Sequence, residues 1–134
     1  MNIQMLLAKK VSLECSVDEI RALIFAINVK ETILDVDSPT AFNMLVFSVF
    51  SKVHRYLDNR LNSLEMQAKN SGKICFCLPD LLILHCLLVE DYGIDCLLLA
   101  RGKIDKIAKN HSHLVTLLQP IAKSNKVDDY ESKK

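Results

Sequence analysis

Between Thr40 and Lys69 the chain contains neither glycine nor proline, and Pro39 stands at the head of that stretch. A proline in the first helical turn has no N–H to lose and a φ already near the helical value. The spacing therefore predicts one helix over 39–69, with Asp37 or Ser38 as its cap. At 1.5 Å per residue it is roughly 45 Å long. A compact domain of 134 residues has a diameter of only about 36 Å. The rod is thus expected to outreach its own globule. Its first half is apolar on most sides, through Phe42, Met44, Leu45, Val46, Phe47, Val49 and Phe50. Its second half keeps only a stripe, Val53, Leu57, Leu61, Leu64 and Ala68, among charged and amide residues. The expectation is a buried first half and a second half lying on the surface. Val53, Leu57, Leu61 and Leu64 then need cover, because an exposed leucine stripe costs solubility. Either the C-terminal helices fold back onto them or a second subunit covers them. The second is the favoured reading, with a kink near Ser51 or His54 and a monomeric bundle as the alternative.

The elements around this helix follow from local periodicity. Val11 to Cys15 alternates apolar and polar residues, the period of a half-buried strand, and the alternation runs back through Leu7 and Met5 to Ile3. Ser16-Val17-Asp18-Glu19 matches a capping box, in which Glu19 reaches back to the Ser16 amide. A helix with an apolar stripe at Ile20, Leu23, Ile24 and Ile27 follows and fades near Thr32 to Leu34. Asn70-Ser71-Gly72 stops the long helix, with Gly72 free to take positive φ. Lys73 to Leu78 reads as a second strand. Pro79 and Asp80 open a short buried helix, Leu81 to about Glu90, Tyr92-Gly93 turns the chain, and Ile94 to about Asn110 is helical despite Gly102. A short helix begins near Ser112 and is interrupted at Pro120. The order strand, cap, helix over 11–34 recurs over 74–91, which reads as recurrence of a common unit rather than a repeat.

These elements define a predominantly helical α+β fold, with about five helices around one long helix and two short strands, near 11–15 and 73–78. One domain spans 1–123, and 124–134 (SNKVDDYESKK) lacks an apolar period and reads as a tail. Half the residues are apolar and a quarter charged, which excludes a disordered chain. A net charge of +1 excludes a polyanion-coating protein. The most apolar window, Leu81 to Ala100, carries Glu90, Asp91 and Asp95. Each would cost about 2.5–3.5 kcal/mol at a bilayer centre, so the window reads as buried soluble helices. MNIQMLLAKKV lacks the shape of a signal peptide. An odd number of cysteines, five, fits reduced thiols in the cytoplasm.

Chemistry-bearing motifs are sparse. Gly72, Gly93 and Gly102 form no closely spaced pair, so phosphate-cradling loops are excluded, and no nucleophile elbow is present. Cys75-x-Cys77 puts two thiols on one strand face, but zinc prefers four ligands. Alternation places Cys15 with Val11 and Leu13, away from that face, and no metal or other cofactor is expected. Cys86 and Cys96 lie among leucines, where cysteine acts as a small hydrophobe. His111 and His113 would point about 200° apart on a helix. His54 borders the polar side of the long helix, and His85 needs a polar partner if buried. Asp35-x-Asp37 is explained by capping. Helix 94–110 begins with Ile94-Asp95-Cys96-Leu97-Leu98-Leu99, whereas a DNA-recognition helix presents polar donors there; it is read as buried.

Residues 101–134 nevertheless carry an excess of basic groups, and Lys103, Lys106 and Lys109 share one helical face. The expected function is non-catalytic: a cytosolic interaction or assembly module that self-associates, using Val53, Leu57, Leu61 and Leu64 and the open strand edges. The second reading is a nucleic-acid-associated regulator that contacts phosphates through Lys103, Lys106 and Lys109. A small hydrolase or metal enzyme using His54, His85 or the Cys75/Cys77 pair ranks third.

Overall fold

A computed structural model describes residues 2–36 and 40–116. The elements run α1 (Ile3–Ala8), β1 (Lys10–Ser16), α2 (Val17–Val36), α3 (Ala41–Met66), β2 (Ser71–Cys77), α4 (Leu78–Leu87) and α5 (Asp95–Lys109). A further helical turn covers 112–116. The expected cap at Asp37 or Ser38, Pro39, Pro120 and the tail at 124–134 lie outside the described residues.

The capping box forms as its sequence requires. The Ser16 amide donates to Glu19 Oε1 at 3.0 Å, and the Glu19 amide donates to Ser16 Oγ at 3.1 Å. Helix α2 then buries Ile20, Leu23, Ala26 and Ile27 and packs against both α3 and α5. It runs to Val36 rather than fading near Leu34. The N-cap of α3 is Thr40, whose side chain accepts from the Asn43 amide at 3.0 Å. With 26 residues, α3 is about 39 Å long.

The strands pair antiparallel, with Lys10 opposite Cys77, Ser12 opposite Cys75 and Cys15 opposite Gly72. Val11, Leu13 and Cys15 share the inner face with Gly72, Ile74 and Phe76, while Lys10, Ser12, Lys73, Cys75 and Cys77 point out. Segment Ile3–Ala8 is helical, not a continuation of the strand. Asn2 accepts from the Met5 amide at 2.8 Å, and only Leu6 of this turn packs on the core. A local cap outweighs a two-residue period when no neighbouring strand rewards alternation.

Both ribbon edges are partly occupied by side chains. On the β2 side, the Cys75 amide donates to the Tyr56 hydroxyl at 2.8 Å, and Arg60 Nε donates to the Lys73 carbonyl at 2.9 Å. On the β1 side, Lys103 Nζ donates to the Glu14 carbonyl at 2.7 Å. The ladder continues past its ends through Leu78 N to Lys9 O and Val17 N to Asn70 O, both 2.8 Å. The open strand edges therefore call less strongly for a partner than the sequence implies.

The burial of α3 runs opposite to expectation. In its second half Val53, Leu57 and Leu64 are buried in the chain's own core, and Leu61 is half-buried against it. In its first half Met44 and Leu45 are 64% and 69% exposed, and only Val46 and Phe50 are buried. The cause is the neighbourhood: α2 and β2 pack against α3, and the stripe supplies the face they require. Leucine density alone does not say which end has neighbours.

The end of α3 also differs in mechanism. Ala68 takes the left-handed conformation, φ 54°, and the Lys69 amide donates to the Leu64 carbonyl at 2.9 Å. Gly72 lies instead in β2, where a Cβ would stand 2.6 Å from a Leu64 methyl. Its lack of a side chain serves close helix-on-strand approach, not a turn. Helix α4 begins three residues earlier than expected, with Pro79 in its first turn. The turn before α5 is made by Tyr92 and Gly93, both at positive φ.

Candidate functional site

Three places gather side chains capable of binding or chemistry. The first is an apolar groove between α3 and α4, of about 170 Å³. Phe42, Leu45 and Val49 of α3 face Ile83, Cys86 and Leu87 of α4 across it, and its lining is almost wholly apolar. Partial burial raises the Cys86 thiol above its ordinary pKa, which keeps it neutral and consistent with that lining. Leu45 is 69% exposed at its edge, whereas Met44, also exposed, lies on the other side of α3.

The second is the joint of β1, α2 and α5. Glu19, 6% exposed, receives Lys103 Nζ at 2.9 Å as well as the Ser16 amide. Burial opposes the Glu19 charge, but the Ser16 amide, Lys103 and the Ser16 hydroxyl together hold its pKa below the ordinary carboxylate value. The hydrogen bond to Glu19 in turn raises Lys103. Cys15 beneath them is pushed up to about 11, first by burial and then by the Glu19 charge. A thiol so held is protonated at neutral pH and is no nucleophile. Lys103 is therefore committed to the fold; of the expected phosphate-contacting face, Lys106 and Lys109 remain exposed. Helix α5 is also less buried at its start than expected, since Leu98 and Leu99 are 49% and 61% exposed.

The third place is the outer face of the ribbon. Lys10, Lys52, Tyr56, Cys75, Cys77 and Asp80 border a shallow pocket of about 230 Å³. Lys52 Nζ lies 2.7 Å from Asp80 Oδ2. The split of thiols between faces is as the alternation implies: Cys15 is buried, Cys75 exposed and Cys77 half-buried.

His54 and His85, both half-buried, have carboxylate partners. His54 Nδ1 pairs with the Glu31 carboxylate, its Nε2 lies 3.3 Å from Asp58 Oδ2, and Ser51 Oγ donates to Glu31 Oε2 at 2.9 Å. His85 Nδ1 meets Asp105 Oδ1 at 2.6 Å. Among the described residues no hydroxyl or thiol is hydrogen-bonded to either ring, so the nucleophile–base contact of covalent catalysis is not formed. Burial and then Lys9 and His113 lower His111. Among the described residues no group of three or more histidine, cysteine, aspartate or glutamate side chains is placed to hold a metal ion, and no helix is long and apolar enough to cross a membrane.

The groove is the feature that sequence reasoning missed. Its signal is the density of large apolar residues at 42–50, which by composition is indistinguishable from core. Comparison with known proteins finds no family model that matches the chain and no curated protein or solved structure similar to it.

Proposed function

We propose that the protein is a non-catalytic interaction module that forms a twofold homodimer through the first half of α3 and the adjoining α4 groove. The observation that carries this is the exposure of Leu45, 69%, at the edge of a groove with an apolar lining. One patch thus holds both a protruding knob and a hole. A twofold interface uses the same patch on both subunits, so knob and hole must sit side by side. The second copy seats its Leu45 in the first copy's groove, and the reverse contact follows by symmetry. Burying such side chains contributes about 1.5–3 kcal/mol each. Two of them, about 3–6 kcal/mol together, meet only the lower part of the roughly 4–15 kcal/mol cost of association, so the dimer is weak and dissociates on dilution. Five unpaired thiols suit a reducing cytoplasm.

Multi-angle light scattering across a concentration series tests this reading. The expected result is a mass that rises from monomer to dimer. Leu45→Glu should hold the protein monomeric with its circular dichroism unchanged, while Leu99→Glu, exposed on α5, should leave the dimer intact. A monomeric mass at every concentration, or equal loss with both variants, overturns the proposal.

A further inference from the structure

The structure carries a second candidate binding site, independent of the dimer. We propose that Cys75 and Cys77 form a two-coordinate thiolate site for a single soft monovalent cation, Cu(I), on the outer face of the ribbon.

Geometry excludes the simpler fate of such a pair. Residues two apart on a strand are about 6.7 Å apart with side chains roughly parallel. A disulfide needs Cβ atoms about 3.5–4.5 Å apart, so the pair cannot close on itself without breaking the ladder to Ser12 and Lys10. Rotation about the Cα–Cβ bonds lets two sulfurs at that spacing lean toward each other and share one ion through two metal–thiolate bonds of about 2.3 Å each. Zinc is disfavoured because it takes four ligands, and among the described residues no third metal-binding side chain is placed with the pair. Thiolate ligands select Cu(I) among the softer ions.

The charges agree. Binding breaks two S–H bonds, releases two protons and forms two S–Cu bonds, so the bound unit carries one net negative charge. Lys10 lies directly across the ladder from Cys77 and supplies the compensating positive charge. Lys52 is already neutralised by Asp80 at 2.7 Å. The filled site is therefore neutral overall. Tyr56, held by the Cys75 amide and stacked edge-on against Phe76 with ring centroids 6.0 Å apart, fixes the strand and shields one side.

The test is an anaerobic titration of the reduced full chain with Cu(I) against a chromophoric Cu(I) chelator. One equivalent per chain should be withdrawn from the chelator. Because two protons leave for each ion bound, affinity should weaken as the pH is lowered, by up to about a hundredfold per unit. Cys75→Ser and Cys77→Ser should each abolish the competition, and Lys10→Glu should weaken it by at least about tenfold. Cys86→Ser and Cys96→Ser should leave it unchanged. Both serine variants at 75 and 77 alter side chains outside the core, so unchanged circular dichroism is expected. Failure to compete with the chelator, one ion per two chains, or equal retention by Cys75→Ser overturns the proposal. None of these readouts depends on the oligomeric state, so the dimer and the metal site stand or fall separately.

Discussion

Adding one methyl group to Gly72 should destabilise the protein, and removing the methyls it meets should reverse part of that loss. In β2 an added Cβ would stand 2.6 and 3.0 Å from the two methyls of Leu64 and 3.0 Å from Arg60 Nη2. Non-bonded carbons rest at about 3.5–4.0 Å, so the closest contact is about 1 Å too short. Leu64 is 0% exposed and has no solvent to swing into. Either its rotamer or the strand must give, and overpacking of this kind costs about 1–3 kcal/mol. Replacing glycine also narrows the unfolded ensemble, which returns about 0.4–1 kcal/mol. The expected net loss for Gly72→Ala is about 0.5–2 kcal/mol. Leu64→Ala alone leaves a cavity and should cost about 2–5 kcal/mol. In the double variant the new methyl occupies part of that cavity. Its loss should fall short of the sum of the two singles by about 1 kcal/mol, within the range for residues in contact. Urea unfolding followed by circular dichroism, extrapolated linearly with an unchanged m-value, measures all three. A Gly72→Ala protein as stable as the parent, or strictly additive losses, refutes the close-approach account of this glycine.

Ala68→Gly should stabilise the fold by about 0.5–1 kcal/mol in the same assay, because φ 54° strains any residue with a Cβ by about 1–2 kcal/mol and the entropic cost of glycine removes part of the gain. Glu19→Gln keeps a group able to accept from the Ser16 amide but loses the Lys103 pair, and should cost about 1–2 kcal/mol at neutral pH. The pH profile supplies a sign. Glu19 is depressed on folding, so its contribution is present above the unfolded carboxylate pKa and is lost as pH falls through the folded value. Lys103 and Cys15 are raised, so their contributions are present below their unfolded values and are lost as pH rises. For Cys15 that loss runs between its ordinary value of 9.0 and about 11. Stability against pH should therefore fall on both sides for the parent, and Glu19→Gln should flatten the acid limb; an unchanged acid limb would count against the assignment.

What the sequence disclosed and what it hid divide along the range of the interactions. Ser16 and Glu19 are three residues apart, and the box they form is decided within one turn, so its pattern was readable. The ribbon was readable for a related reason: one face of each strand must be apolar, and the alternation at 11–15 and the position of Cys15 state which. The partner of Lys103 lies 84 residues away, and nothing in a stripe of lysines announces a buried carboxylate. Likewise Val53, Leu57 and Leu64 fit any apolar neighbour, so their spacing could not distinguish the chain's own α2 and β2 from a second subunit. The groove was hidden because Phe42 to Phe50 resembles core by composition. Exposure there depends on where α4 is placed, and α4 is set by a strand pairing some sixty residues away from its start in β1.

The stoppered margins of the ribbon reach beyond the folded monomer. A sheet can recruit further strands only where successive peptide groups face outward unclaimed. Here a phenol, a guanidinium and an ammonium group already occupy such positions on the two sides. Fibril growth by strand addition would first have to pull those side chains away, so conditions or substitutions that loosen Tyr56, Arg60 or Lys103 should speed aggregation well before they unfold the helices.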